Sequence, residues 1–177
     1  VEEQAPGQRI GIWGASFGGA TAGLALGYED TDEKIDFLIL DCPVSSMKWM
    51  IEEEMKYMDI GMPVSYMTWT GNITNKIKLG FTYDDADVAN AMKDVKPPVL
   101  MINSTQDTLT PYFMGKDIYD AILEDNKEIW TVEDSQHCDM WLDYRRLFLC
   151  FVFPFWISYN YTIEERDLLF HCCMMQF

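Results

Sequence analysis

Four short apolar runs punctuate the chain, each closed by glycine, proline or polar residues. They are residues 9–14, 35–40 (Ile-Asp-Phe-Leu-Ile-Leu), 99–103 (Val-Leu-Met-Ile-Asn) and 129–132 (Ile-Trp-Thr-Val). Runs of this length bounded by turn signals read as strands, and their near-continuous hydrophobicity suits parallel strands covered on both faces. Between the first two lies 17–27, where Ala20, Ala22, Gly23 and Ala25 permit a helix to sit close on a sheet, with Gly27 as its C-cap. Residues 110–123 have the pattern of an amphipathic helix with Pro111 at an early position, and a further helix is expected from about Asp139. Strand and helix in alternation predict an α/β protein with a mostly parallel sheet flanked by helices.

The segment 44–94 breaks that alternation. Met47, Ile51, Met55, Met58 and Met62 recur at steps of three or four, one face of a helix, with Glu52, Glu53 and Glu54 supplying a wet side. Trp69, Ile73, Ile77, Leu79 and Phe81 follow, then the acidic Asp84, Asp85 and Asp87. An insertion of this size between two strands predicts a helical cap over about 45–94. Met47, Trp49, Met50, Met67 and Trp69 are candidates for an adaptable apolar pocket beneath it, although packing the cap onto the body would need the same residues. The pattern changes again at Leu147. Leu147 to Ile157 is almost wholly apolar, interrupted by Pro154 and shorter than the roughly 20 residues of a membrane span. The expected organisation is one unit over 1–146, including the cap, and an atypical apolar tail over 147–177 that is foreign to it.

Charge narrows the partners. With 13 Lys+Arg against 29 Asp+Glu the net charge is −16, a surface that repels phosphate backbones and argues against nucleic acid. The five cysteines, Cys42, Cys138, Cys150, Cys172 and Cys173, are odd in number and form no metal-ligand spacing. They read as reduced thiols in a cytoplasmic protein, and neither metal nor cofactor is expected. The start, Val1-Glu2-Glu3-Gln4, lacks both the pattern of a signal peptide and a Met, and reads as a beginning inside a longer sequence.

The candidate chemistry starts at Gly14-Ala15-Ser16-Phe17-Gly18, which lies between the first strand and the first helix. A turn this tight strains the backbone at Ser16, and bulk at position 14 or 18 is expected to collide with strand or helix. It lifts the hydroxyl above the sheet edge and aims the Phe17 N–H and the positive helix end at the same spot. A serine hydroxyl needs a base to take its proton, and an acid to hold that base. There are two histidines. His137 sits just past the fourth strand, and His171 falls in the tail. Asp107, just past the third strand, is the favoured acid, with Asp134 and Asp139 as alternatives. Taken singly, each residue also has a plain structural use: a glycine-rich turn, a surface histidine, an Asx turn.

Gly14-Ala15-Ser16-Phe17-Gly18-Gly19, Asn103 to Pro111 and Asp134-Ser135-Gln136-His137 together resemble the triad segments of the α/β-hydrolase superfamily. Within it they are most similar to the bacterial serine aminopeptidase, prolyl-oligopeptidase-like and esterase branch. The resemblance runs from about Gln8 to Tyr144 and covers the second half of such an enzyme. It implies a partial α/β-hydrolase fold, with Ser16 as nucleophile, Asp107 as orienting acid, His137 as base and the Phe17 N–H as one oxyanion donor. It also implies an ester, amide or peptide substrate cleaved through an acyl-enzyme. The earlier strands, and the loop that supplies a second oxyanion N–H, have no counterpart among the fifteen residues before Ser16. The chain therefore reads as a fragment with impaired activity. The alternative is a non-catalytic product or a binding module that uses the cap pocket.

Overall fold

The computed structural model describes residues 9–28, 34–145, 152 and 155. Strands β1 (Gly11–Ala15), β2 (Phe37–Asp41), β3 (Val99–Ser104) and β4 (Lys127–Val132) form a four-stranded sheet in that spatial order, every pair parallel. Helix α1 (Phe17–Tyr28) follows β1, and α5 (Tyr112–Ala121) joins β3 to β4. Helices α2 (Met47–Met58), α3 (Val64–Leu79) and α4 (Val88–Ala91) lie between β2 and β3, and α6 (Met140–Asp143) follows β4.

The central strands divide their side chains between two cores. Leu38, Leu40, Val99 and Met101 pack with Ala22, Leu26, Met92, Met114 and Ile118 on one face. Phe37, Ile39, Leu100 and Ile102 point the other way, onto Trp130, Val132 and Met140. The alternation follows from the period of two along a strand, and coverage of both faces is why every residue of β2 and β3 is buried. Val152 and Phe155 belong to the second core, and the Phe155 ring meets Phe37 edge-on at 6.1 Å. These two residues of the expected apolar tail are thus packed on the sheet. The rest of 147–177 lies outside the described residues.

Several boundaries differ from the sequence pattern for reasons of tertiary contact. Lys127 and Glu128 join β4 because Val99 and Leu100 offer backbone partners, and pairing does not depend on apolar side chains. The Lys127 ammonium donates to the Tyr119 and Ile122 carbonyls at 2.8 and 2.6 Å, using its charge to close the end of α5. Gly27 lies within α1 rather than beyond its end. A Cβ there would stand 2.0 Å from the Ala91 carbonyl oxygen, so this glycine permits contact between α1 and α4.

The expected cap segment is helical in two distinct ways. Helices α2 and α3 pack on each other, and Ser46 caps α2 by accepting from the Trp49 N–H. Lys48 binds Asp84 at 2.8 Å, tying α2 to the turn that follows α3. Helix α4 instead joins the body, with Val88, Met92 and Val95 inside the main core. Among the described residues no helix is long and apolar enough to cross a membrane.

Candidate active site

All four strands point their C-terminal ends at one edge of the sheet, and the chemistry-bearing residues lie along that edge. Ser16 is the single residue between β1 and α1 and has φ +53°, in the left-handed region. Its N–H donates to the Asp41 carbonyl of β2 at 2.8 Å, which extends the parallel ladder by one step and holds the strained residue. The steric demands on the turn differ from those expected. A Cβ on Gly14 would stand 2.6 Å from the Gly18 carbonyl oxygen, and one on Gly19 would stand 3.0 Å from the Gly14 oxygen. A Cβ on Gly18 meets nothing within 4 Å. The close approach is between the strand end and the second turn-facing glycine, so Gly19, not Gly18, shares the constraint with Gly14. Phe17 opens α1, where helix geometry leaves its N–H without an intrahelical acceptor.

Asp107 and His137 meet directly, with Oδ2 2.7 Å from Nδ1. Asp134 is exposed, and Asp139 stands at the start of α6; neither takes that place. Asp107 is buried, and its Oδ1 accepts from the Leu109 and Thr110 N–H groups, both at 2.9 Å. Burial alone would push this carboxyl up, but the hydrogen bonds from His137 and Thr110 outweigh it and hold the group below its ordinary 3.8. The loop bearing His137 is fixed to the loop bearing Asp107. Ser104 Oγ donates to the Ser135 carbonyl at 2.5 Å and accepts from the Gln106 N–H, while Thr105 reaches the Val132 and Glu133 carbonyls. Ser135 in turn donates to Asp143 of α6 at 2.8 Å.

Two participants were not foreseen from the sequence. Thr110 is fully buried, and its Oγ1 lies 2.8 Å from Asp107 Oδ2, 3.0 Å from His137 Nδ1 and 3.1 Å from the Cys42 carbonyl. Its signal was the Asp107-x-x-Thr110 spacing, in which both residues turn back into one loop. The other is Asp41, buried at the end of β2 with Oδ1 lacking a hydrogen-bond partner. Burial pushes its carboxyl up to about 6, partly offset by the Cys42 thiol and by His137. At the far side of the imidazole, Nε2 meets Cys138 Sγ at 3.6 Å, and among the described residues no hydrogen bond joins it to Ser16.

A cavity of about 430 Å³ opens beside the Ser16 turn. Phe17 and Leu109 line it from the body, and Met47, Met50, Met55 and Met67 line it from α2 and α3. Trp49 packs instead against Phe113, with ring centroids 5.4 Å apart, and Trp69 is exposed beside Tyr66. Neither tryptophan therefore joins the methionines in the lining.

Comparison with known proteins agrees with this architecture. The family model described as the prolyl oligopeptidase family matches residues 2–146. The chain belongs to the prolyl oligopeptidase family. Among solved structures, the Pyrococcus furiosus esterase Pf2001 superposes with a TM-score of 0.63 at 21% identity, covering 86% of this chain and 54% of the esterase. The Pyrococcus horikoshii acylaminoacyl peptidase gives 0.53 at 23%, over 78% of this chain and 21% of that one. A monoacylglycerol lipase from Paleococcus ferrophilus gives 0.55 at 17%, over 84% and 68%. At these identities the likeness is one of fold. This member of the prolyl oligopeptidase family spans about half the length of the esterase. No curated protein matches it by sequence.

Proposed function

We propose that the chain is the part of a serine hydrolase that carries Ser16, Asp107 and His137, acting on an ester, amide or peptide through an acyl-enzyme. The observation that carries this reading is the 2.7 Å contact between Asp107 and His137 on the same sheet edge as a serine with φ +53°. In the proposed reaction Ser16 Oγ attacks the substrate carbonyl and its proton passes to His137 Nε2. Asp107 holds the Nδ1–H and stabilises the imidazolium. The Phe17 N–H faces the developing oxyanion, the leaving group takes the proton from Nε2, and water then releases the acyl group by the same route. No cofactor is required. The methionine-lined cavity beside Phe17 supports an apolar acyl or side-chain group on the substrate. The free thiols of Cys42 and Cys138 accord with a reducing, cytoplasmic setting.

A fluorophosphonate probe tests the reading on the purified chain. Labelling of wild type that disappears in Ser16→Ala is the expected result. A folded protein that resists labelling would overturn it and favour a non-catalytic module that uses the cavity for binding alone.

A further inference from the structure

The hydrolytic reading uses His137 but leaves its two sulfur neighbours without a role. Cys42 Sγ, a His137 ring nitrogen and Cys138 Sγ all lie within 4.8 Å of one another. Cys42 follows β2 and Cys138 follows β4, so the sheet edge, rather than any sequence spacing, brings them together. Both thiols are free. Cys42 has φ +46° and Cys138 φ +56°, conformations that the surrounding fold must hold for a non-glycine residue.

The distances suit a tetrahedral d¹⁰ cation. With Zn–S bonds of about 2.3 Å and Zn–N bonds of about 2.0–2.1 Å, the S···N edge of a tetrahedron is about 3.6 Å. Cys138 Sγ stands 3.6 Å from His137 Nε2. The other ring nitrogen is already turned to the Asp107 carboxylate at 2.7 Å, the arrangement in which a carboxylate fixes the tautomer of a metal-binding histidine. Asp41 adds a buried carboxyl oxygen with no partner beside Cys42. A soft cation is favoured over magnesium or calcium by a donor set of two sulfurs and an imidazole.

We propose that Cys42, Cys138 and His137 form a binding site for a thiophilic divalent cation of the zinc class, and that occupancy silences hydrolysis. Each thiol releases its proton to solvent, and the two thiolates and the Nε2 lone pair become three ligands, with a fourth position open to water. That lone pair is the one that would receive the Ser16 proton, so binding and catalysis exclude each other. The silencing rests on the proposed hydrolytic function; the binding does not.

The test uses the full chain, reduced and stripped with chelator, titrated with cadmium as a spectroscopic substitute for zinc. The expected result is an ultraviolet thiolate-to-cadmium charge-transfer band saturating at one ion per chain and displaced by zinc. The band should persist in Ser16→Ala and in the triple variant Cys150→Ser, Cys172→Ser, Cys173→Ser. Cys138→Ser, partly exposed and therefore the safer substitution, should weaken binding at least tenfold, and Cys42→Ser should do the same if folded. Absence of the band, or a band lost in the tail variant and intact in Cys138→Ser, would overturn the site. A second measurement, the rate of fluorophosphonate labelling, should fall with zinc, recover with chelator, and become insensitive to zinc in Cys138→Ser. Labelling unaffected by saturating zinc would overturn the silencing. If wild type takes up cadmium but no probe, the hydrolytic reading fails while the metal site stands.

Discussion

Replacing Thr110 by Val removes one oxygen from the centre of the site and leaves the volume nearly unchanged. That oxygen lies within 3.1 Å of three groups: Asp107 Oδ2, His137 Nδ1 and the Cys42 carbonyl. Its single proton serves either Asp107 or Cys42, and its lone pairs face the Nδ1–H of His137. Asp107 would keep the Leu109 and Thr110 N–H groups and His137, so it stays ionised; its lost hydroxyl is one charge-assisted bond of four. A hydrogen bond to a charged group contributes about 1.5–3 kcal/mol, and a buried acceptor left unpaired costs about 1–3 kcal/mol. One proton serves one acceptor at a time, so the two figures are alternatives, and Thr110→Val should destabilise the chain by about 1–3 kcal/mol in urea denaturation. With the imidazole less firmly held, fluorophosphonate labelling should slow about 10–100-fold, since each factor of ten is about 1.4 kcal/mol of barrier. Thr110→Ser, which keeps the hydroxyl, should recover most of both losses. A Val variant within about 0.5 kcal/mol and twofold of wild type would refute the argument that this hydroxyl joins Asp107, His137 and the Cys42 carbonyl.

Other substitutions probe the turn, the buried carboxyl and the cavity. Gly14→Ala should cost about 1–3 kcal/mol, because its Cβ meets backbone at 2.6 Å, whereas Gly18→Ala should be neutral or stabilising; equal urea midpoints for the two would contradict the packing. Asp41 binds its proton more tightly folded than unfolded, so stability should fall as pH rises from 3.8 to about 6, by on the order of 3 kcal/mol in full. Asp41→Asn removes that slope, and in chelator it should exceed wild type in thermal stability at pH 8 but not at pH 4; a gap independent of pH would disprove the shift. Met50→Trp, filling part of the 430 Å³ cavity, should reduce kcat/KM for a p-nitrophenyl octanoate about 10–100-fold relative to the acetate, and an unchanged ratio would place the acyl group elsewhere.

The framework of the fold was legible because it rests on local pattern. The runs at 35–40 and 99–103 are largely apolar on both faces, which suits a parallel strand covered on both sides. Ser16, Asp107 and His137 could be singled out as candidates because each stands just past a run of strand length. What the pattern hid depends on contacts between distant segments. Gly27 reads as a helix end until Ala91 is brought against it. Trp49 and Trp69 read as pocket residues because their hydrophobicity is plain, while the direction in which each ring leaves its helix is not. Cys42 and Cys138 are 96 positions apart and show no ligand spacing. The clue available was that each follows a strand end and that parallel strands gather those ends at one edge.

The bond from the Ser16 N–H to the Asp41 carbonyl bears on the order in which the molecule is assembled. Both elements adjoining Ser16 come from residues close in sequence, yet the acceptor that holds its left-handed backbone belongs to another strand. A peptide spanning only β1 and α1 has nothing to keep the hydroxyl presented, and would relax to an ordinary turn. The Ser16 hydroxyl is held in that conformation only while β2 lies along β1, which ties its presentation to pairing of the two strands. The Ser16 amide should accordingly exchange its hydrogen with solvent at the pace of strand separation, making one backbone proton a reporter of whether the Ser16 turn is in place.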